Sequence, residues 1–291
     1  MIAIIGGTGL AEALFGDAAG QDHHIDTPFG TPSGPIRVVN WHGMEVALLA
    51  RHGDGHLLNP SQVPHRANIY ALKALGVTHV LASGAVGSLR EEIRPRDLVI
   101  VSQVIDKTCR RAPTFFDEGL AVHVEFAEPF CPELRKVLLS AGQGLDAQVH
   151  PRGTYVCMEG PAFSTQAESH MHRAWGGDLI GMTAMPEARL AREAEMAYAL
   201  VALATDYDCW RPHEPGTTPQ KLLEEIIGHL QAATTNAVGL LRAAVAALAA
   251  GPLPSSPAHS ALELAIWSDR AKIAPEAARK YGPLLARYIK G

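Results

Sequence analysis

Residues 61–88 read SQVPHRANIYALKALGVTHVLASGAVGS, a helix-type segment followed directly by a strand-type segment. A Pro-Ser start signal and apolar residues at helical spacing predict a helix over 63–75. The apolar residues that follow predict a strand over 78–83. Where helices and strands alternate in this way, the helices pack on the faces of a parallel or mixed sheet, so we expect an α/β fold.

The same alternation extends to both sides of this segment. Further strands are predicted at 2–5, 36–40, 45–50, 97–102, 154–158 and 198–205. Further helices are predicted at 132–141, 164–175 and 186–195, with one long closing helix at 219–250. The Gly- and Pro-rich stretch 251–257 breaks that helix because proline lacks an N–H donor. We therefore expect a single domain over 1–250, and a linker and helical extension over 251–291 that packs on the domain or on a neighbouring subunit.

Composition excludes several classes of protein. The chain has 291 residues, of which 47% are hydrophobic and 19% are charged, and its formal net charge is -5. This mild acidity argues against a nucleic-acid or anionic-membrane partner, since both attract a basic stripe. The four cysteines form no CxxC pair, which indicates reduced thiols, and the apolar N-terminus lacks a basic leader. The longest aliphatic stretch, 243–250, is too short to span a bilayer, so we expect a cytoplasmic protein.

Three motifs follow predicted strands, at the edge where ligands of open α/β sheets gather. They are the Gly-Gly-Thr-Gly turn at 6–9, the Arg-His-Gly triplet at 51–53 and the small-residue run at 83–88. Glycine turns let backbone amides approach an anion, and an arginine fork suits a phosphate dianion. The first turn is not a Rossmann fingerprint, because Glu12 occupies the position of the third glycine. Taken singly, each motif is more often a tight strand exit or a surface pair than a phosphate site.

Two later motifs carry aromatic and acidic groups. The loop 158–164 holds Phe163, whose ring can face a flat base, although such a ring more often serves ordinary packing. The run 205–210 places Asp206 and Asp208 on one face of a strand, because strand side chains alternate. Two carboxylates this close repel each other, so one of them can hold a proton near neutral pH. A DxD metal site and a purely structural turn are the alternatives.

Taken in order, these motifs resemble the methylthioadenosine phosphorylases, within the trimeric purine nucleoside phosphorylase group. The resemblance runs from residue 1 to about residue 250. It is carried by the segments 5–10, 49–53, 87–92, 159–161, 182–183 and 204–210. The related 6-oxopurine enzymes differ, because they carry Glu where this chain has Ser164 and Asn in place of Asp at the base end of the late strand. The resemblance implies a phosphorylase fold with a central mixed sheet, and a homotrimer.

The resemblance also implies roles for individual residues. Phosphate donors are expected at Thr8, Arg51, His52, Gly84, Ala85 and Thr183. The base is expected to contact Phe163, Ser164, Asp206, Tyr207 and Asp208. The ribose and the 5' group are expected to contact Met182, His56, His123, Pro219 and Leu222. His123 would reach the 5' pocket from an adjacent subunit, and Asp206 and His52 are the expected catalytic residues. The chain departs from the family pattern at Ala162, Gly181 and Pro219.

The implied reaction is phosphorolysis of S-methyl-5'-thioadenosine to adenine and 5-methylthioribose 1-phosphate. Phosphate would be the co-substrate, and no metal, flavin or nicotinamide would be required. Protonated Asp206 would support N7 of the departing adenine, and Asp208 would hold its 6-amino group. A 6-oxopurine nucleoside or methylthioinosine phosphorylase is the alternative enzyme. A purine-binding regulatory module is the alternative outside enzymes.

Overall fold

The computed structural model describes residues 1–15, 19–212 and 216–289, so the last two residues of the expected extension lie outside it. The strands are β1 (Ile2–Gly6), β2 (Gly20–His23), β3 (Ile36–Trp41), β4 (Met44–Ala50), β5 (His79–Ser88), β6 (Leu98–Ile100), β7 (Gln103–Lys107), β8 (Val149–His150), β9 (Thr154–Met158), β10 (Leu179–Gly181) and β11 (Ala197–Tyr207). The helices are α1 (Leu10–Phe15), α2 (His65–Ala74), α3 (Pro132–Ala141), α4 (Gln166–Ala174), α5 (Glu187–Glu193), α6 (Pro219–Ala249) and α7 (Pro275–Tyr281).

The strands form one mixed sheet. Its main path is β2-β3-β4-β1-β5-β10-β9-β7, and β11 pairs with both β5 and β6. The central strands β4, β1, β5 and β11 pair in parallel, whereas β10 runs antiparallel to β5. The predicted α/β class with a mixed central sheet flanked by helices is confirmed.

Both faces of the central strands are buried, and β1 shows how. Ala3 and Ile5 belong to one core cluster, which also contains residues of α2 and α5, whereas Ile2 and Ile4 belong to the cluster that contains residues of α3 and α6. A strand covered on both sides needs apolar residues at every position, which explains why its sequence is continuously apolar.

Helix α6 is long and apolar enough to cross a membrane by length and composition alone. Within the protein, however, 44% of its most apolar window is buried. The buried stripe includes Leu240, Leu241 and Leu248, and the helix packs on β11 and α3. Core helices of globular proteins meet the same criteria of length and composition, so the membrane reading is weak.

The chain after α6 packs on the body of the protein. Leu262, Tyr281 and Leu284 belong to the core cluster that contains α2 and α5 residues. The Tyr281 hydroxyl donates to the carbonyl of Glu118 at 2.6 Å, and the Leu262 N–H donates to Glu195 Oε1 at 3.1 Å. The division of the chain at 250/251 stays a prediction.

Strand β5 differs most from its prediction. The sequence predicts a strand that ends at 83 and a small-residue turn, but β5 continues to Ser88. The longer strand forms because β11 pairs alongside it, with Ala202 opposite Gly84 and Leu203 opposite Ala85. The expected turn residues Gly84 and Ala85 therefore lie within a strand. The strands β2, β7, β8 and β10 were not predicted, since runs of two to five residues carry little periodicity.

Candidate active site

The ends of β1 and β4 meet beside β5 and bring three of the motifs together. Gly6 pairs with Ala50, so the 6–9 turn and the 51–53 triplet leave the sheet side by side. The Arg51 N–H donates to the carbonyl of Gly6 at 3.0 Å, and the Gly7 N–H donates to Ser83 Oγ at 3.2 Å. Parallel register therefore joins segments that are far apart in sequence.

Glycines allow close approach within this group. A Cβ on Gly7 would lie 3.0 Å from Arg51 Nη1, and a Cβ on Gly84 would lie 3.1 Å from Thr183 Oγ1. The structure thus brings Arg51, Gly84 and Thr183 together at one end of the sheet. Ala85 follows on the same strand, and Thr8 is exposed in the turn after β1. We call this group, Thr8, Arg51, His52, Gly84, Ala85 and Thr183, the cradle.

Arg51 is fully buried and held by Glu187 of α5. Its Nε and Nη2 donate to the two carboxylate oxygens of Glu187, each at 2.7 Å, and Nη1 donates to the Ser83 carbonyl at 2.7 Å. Burial alone would lower the pKa of Arg51 and raise that of Glu187, but their attraction and hydrogen bonds shift each pKa the other way. These bonds use three of the five guanidinium N–H donors.

Glu187 was not among the predicted site residues. A glutamate in the first turn of a helix is ordinary, since it complements the helix dipole. No sequence pattern marks it, because its partner Arg51 lies 136 positions earlier in the chain. The Tyr198 hydroxyl of β11 also donates to Glu187, at 2.8 Å, so two side chains far apart in sequence fix this carboxylate.

The ring of His52 is neutral and its tautomer is fixed. Nδ1 lies 2.8 Å from the carbonyl oxygen of Leu58, which can only accept, so Nδ1 carries the hydrogen and Nε2 carries the lone pair. Burial and the Arg51 charge lower the pKa of His52 to about 4. The family resemblance predicts a donor to phosphate at His52, whereas the ring offers an acceptor because its single hydrogen is used on Leu58.

The two aspartates lie together at the far end of β11. A Cβ on Gly87 would lie 3.6 Å from Asp206 Oδ2 and 3.3 Å from Asp208 Cβ, so both side chains lie over Gly87. The register between β5 and β11 shifts between Ala204 and Asp206. Thr205 Oγ1 donates to Asp206 Oδ1 at 2.6 Å. Asp208 Oδ2 is buried with no hydrogen-bond partner among the described residues.

The other predicted base residues occupy different surroundings. Phe163 is 85% exposed at the tip of its loop. Ser164 lies near the aspartate strand, since Cys209 Sγ donates to its carbonyl at 3.3 Å. Tyr207 points away from the Asp206 side, because strand side chains alternate, and its hydroxyl donates to the carbonyl of Glu91 at 3.1 Å. The structure therefore does not bring the Tyr207 side chain to the aspartate pair, and its contact with the base stays a prediction.

Two of the predicted ribose and 5' residues adjoin the cradle. Met182 precedes Thr183, and its sulfur lies 2.5 Å from the position of a Cβ on Gly160, whose φ is +69°. Only glycine fits there without strain. The ring of His56 stacks on His52 with centroids 4.2 Å apart.

The remaining 5' residues lie on other elements. Pro219 is the exposed first residue of α6, and Leu222 is half-buried one turn later. His123 is exposed, and its ring lies 4.5 Å from that of Trp267. No contact described within this chain joins His123 to the cradle or to the aspartate pair. Over residues 1–15, 19–212 and 216–289, no group of three or more His, Cys, Asp or Glu side chains is placed to hold a metal ion.

Known proteins of one family resemble this chain in sequence. A sequence profile of the phosphorylase superfamily matches residues 1–246. The S-methyl-5'-thioadenosine phosphorylase of Synechocystis sp. is 48% identical over 292 residues, which cover 99% of this chain and 87% of that protein.

Two solved structures extend the comparison. A methylthioadenosine phosphorylase from an antarctic soil metagenomic library has a TM-score of 0.89 at 46% identity, covering 98% of each chain. A variant of adenosine/methylthioadenosine phosphorylase from Schistosoma mansoni, in complex with methylthioadenosine, has a TM-score of 0.78 at 36% identity, covering 86% of this chain and 92% of that one. The resemblance drawn from the motifs is confirmed, and the chain belongs to the phosphorylase superfamily.

Proposed function

We propose that the protein cleaves S-methyl-5'-thioadenosine with inorganic phosphate, giving adenine and 5-methylthioribose 1-phosphate. One observation carries the proposal: a cradle of hydrogen-bond donors and a carboxylate pair lie at two points of the same strand pair. Gly84 lies in the cradle, and Gly87 lies beneath the two aspartates. The two glycines are three residues apart on β5, which is a distance of about 10 Å at roughly 3.3 Å per residue. A nucleoside with phosphate beneath its sugar spans such a distance. The names of the compared relatives support the substrate.

The cradle holds phosphate by hydrogen bonds from the Arg51 guanidinium and from further donors beside it. Arg51 supplies two N–H groups at a fixed angle, and Thr8, Ala85 and Thr183 supply further donors. The anion faces a sugar that becomes cationic as the purine departs. This attraction grows only in the transition state, so it raises the rate and not merely the affinity.

His52 accepts a hydrogen bond in this proposal. Monohydrogen phosphate carries one P–OH group, and Nε2 of the neutral ring can accept from it. That contact orients the anion so that an unprotonated oxygen faces C1' of the ribose. Protonation of His52 would remove the acceptor.

The aspartate pair selects and releases the base. Asp206, protonated, donates to N7 of the departing adenine, a contribution of about 100- to 10,000-fold. Asp208 Oδ2 is a buried acceptor, and the 6-amino group of adenine is a donor that satisfies it. A 6-oxo group would place an acceptor against this oxygen and leave both unpaired, so 6-oxopurines are disfavoured.

We further propose a cytoplasmic homotrimer in which His123 of a neighbouring copy closes the 5' pocket formed by His56, Pro219 and Leu222. All four cysteines are free, which suits a reducing compartment. Phosphate is the co-substrate, and the chemistry described needs no metal or other cofactor. Activity should therefore persist in excess chelator, and its loss would support the DxD metal alternative.

The decisive assay measures free adenine from S-methyl-5'-thioadenosine with and without phosphate. Phosphate-dependent release is expected, whereas release without phosphate would identify a hydrolase. Tight adenine binding without turnover would identify a regulatory module. Comparable turnover of inosine-type substrates would overturn the assignment of the base. Arg51→Met should raise the phosphate KM strongly, whereas Arg279→Met, on the exposed surface of α7, should not.

The aspartate roles have their own test. Asp206→Asn should lower kcat by about 100-fold or more, since the amide cannot transfer the proton. Asp208→Asn should shift preference toward 6-oxopurines, because an amide N–H can donate to a 6-oxo group. Exposed Asp146 provides the control as Asp146→Asn, which should change neither parameter. Near-normal turnover by Asp206→Asn would remove that residue from the acid role.

A further inference from the structure

A buried arginine outside the predicted site joins two segments that carry predicted site residues. The Arg111 side chain is 2% exposed. Its Nη1 donates to the carbonyls of Met182 and Met185, each at 2.6 Å. Its Nη2 donates to the carbonyl of Glu159 at 2.7 Å, and its Nε donates to Glu159 Oε1 at 3.2 Å. One guanidinium therefore holds two separate segments.

Each of these segments leads directly to a proposed substrate contact. Glu159 begins the loop that carries Phe163, and Met182 precedes Thr183 of the cradle. The two segments also touch, because Met182 packs on Gly160. If Arg111 no longer held these segments, the loop 158–164 and the proposed phosphate donor Thr183 would move relative to each other.

The other oxygen of Glu159 is also fixed. Oε2 accepts from the N–H groups of Cys109 at 2.7 Å and Arg110 at 3.1 Å. Burial alone would raise the pKa of Glu159, but these bonds and Arg111 lower it below its ordinary value. The carboxylate is therefore charged at neutral pH. It anchors residues 109–111 to the base loop, which is the loop 158–164 that carries Phe163.

Only arginine has the geometry for this junction. Its planar fork presents five N–H donors at fixed angles, whereas a lysine presents one rotating ammonium on a flexible stem. Four acceptors lie around the Arg111 head in different directions. Without the guanidinium, the carbonyls of Glu159, Met182 and Met185 would each lose a donor, so the segments would shift to find other partners.

We propose that Arg111, anchored by Glu159, is a positioning residue that sets the base loop and Met182–Thr183 at the spacing the nucleoside and phosphate require. The inference rests on the proposed function for its substrates. Arg111 touches neither reacting group and acts through Glu159, Met182 and Thr183. Its removal should therefore weaken binding of both substrates together, in a protein that is still folded.

The test compares Arg111→Lys with Arg192→Lys. Arg192 is a matched control, because it is also buried and donates to two carbonyls, those of Glu125 and Glu128, and to the Glu125 carboxylate. Arg111→Lys should raise the KM values for methylthioadenosine and for phosphate at least 10-fold. Both variants should lower the melting temperature by similar amounts. Arg192→Lys, however, should leave both KM values within 2-fold of those of the unmodified protein.

Glu159→Gln supplies a second, independent variant. It should raise the same two KM values, and the double variant should be no worse than the weaker-binding single variant, since both act through one junction. Unchanged KM values in folded Arg111→Lys and Glu159→Gln would overturn the inference. If the unmodified protein binds adenine without turnover, the proposed reaction is wrong but the role of Arg111 is not yet tested. The adenine affinities of the variants, measured by calorimetry, would then test that role.

Discussion

At the residue scale, the buried pair of Arg51 and Glu187 decides how the cradle presents its charge. Both side chains are at most 2% exposed and share two hydrogen bonds of 2.7 Å. A buried ion pair is weak support for stability in itself, but removal of one partner leaves an uncompensated charge. The pair therefore fixes the orientation of the guanidinium, at some cost in desolvation.

Glu187→Gln should uncouple this pair. The amide keeps the size of the side chain but loses its charge and one acceptor, so Arg51 should turn from its present orientation. We expect the phosphate KM to rise at least 10-fold and the free energy of unfolding to fall by about 3 kcal/mol. Steady-state kinetics and urea unfolding measure both quantities. The exposed Glu276→Gln on α7 is the control, and equal effects of the two variants would contradict the argument.

Two buried imidazoles make stability depend on pH. Burial lowers the pKa of His52 to about 4 and that of His65 to about 3, from an ordinary value of 6.5. Between these values the unfolded chain binds protons that the folded chain does not, so stability rises with pH there. The stability that the two neutral rings contribute is fully present above about pH 6.5. It is lost as the pH falls toward the pKa values of about 4 for His52 and about 3 for His65.

We therefore expect the free energy of unfolding to fall steadily as the pH is lowered from 6.5 to 4, measured by urea titration at each pH. His65→Gln should make this slope shallower, because one group no longer titrates. His170→Gln, on the exposed face of α4, should leave the slope unchanged. A slope that is the same in all three proteins would show that His65 does not contribute.

At the element scale, the pairing of β5 with β11 positions the cradle and the aspartate pair relative to each other. β5 carries the cradle glycine and, three residues later, the glycine beneath the aspartates. The register shift at Thr205 lets Asp206 and Asp208 lie over Gly87. The small residues of this strand allow neighbouring side chains to approach its backbone closely. From the sequence alone, the same residues predict a turn.

Gly87→Ala should disturb the base end alone. The added Cβ would lie 3.1 Å from Ile180 and 3.3 Å from Asp208 Cβ, so the carboxylate must shift. We expect kcat/KM for the nucleoside to fall about 10-fold or more, while the phosphate KM changes little. The control is Gly228→Ala in α6, where no atom outside the adjoining helix lies within 4 Å of the added carbon. That change should stabilise the helix by about 0.5–1 kcal/mol, and equal activity of both variants would argue against the role of Gly87.

At the scale of the whole molecule, one exposed apolar patch adjoins His123. Trp267 is 73% exposed and Leu264 is 88% exposed, and the Trp267 ring lies against His123. Large exposed apolar side chains gathered in this way are typical of protein interfaces. The patch is the surface that the proposed trimer would cover.

Trp267→Asp should therefore weaken assembly. A charge buried in an apolar interface has no partner, so we expect a shift from trimer to monomer in light scattering and a higher KM for methylthioadenosine. Trp175→Asp, at a 51% exposed tryptophan elsewhere, is the control and should leave the mass unchanged. A trimer that survives Trp267→Asp would place the interface on another surface.

The sequence by itself determined the α/β class, most of the longer elements and the residue types of the cradle. Continuous apolar strands and helical spacing are local properties, and α3 and β9 appear as predicted at 132–141 and 154–158. Only the tertiary structure decided how Glu187 holds Arg51, which nitrogen of His52 is free and how Arg111 joins two loops. These features depend on partners brought together by strand register and burial, and such pairing leaves no periodic signal along the chain.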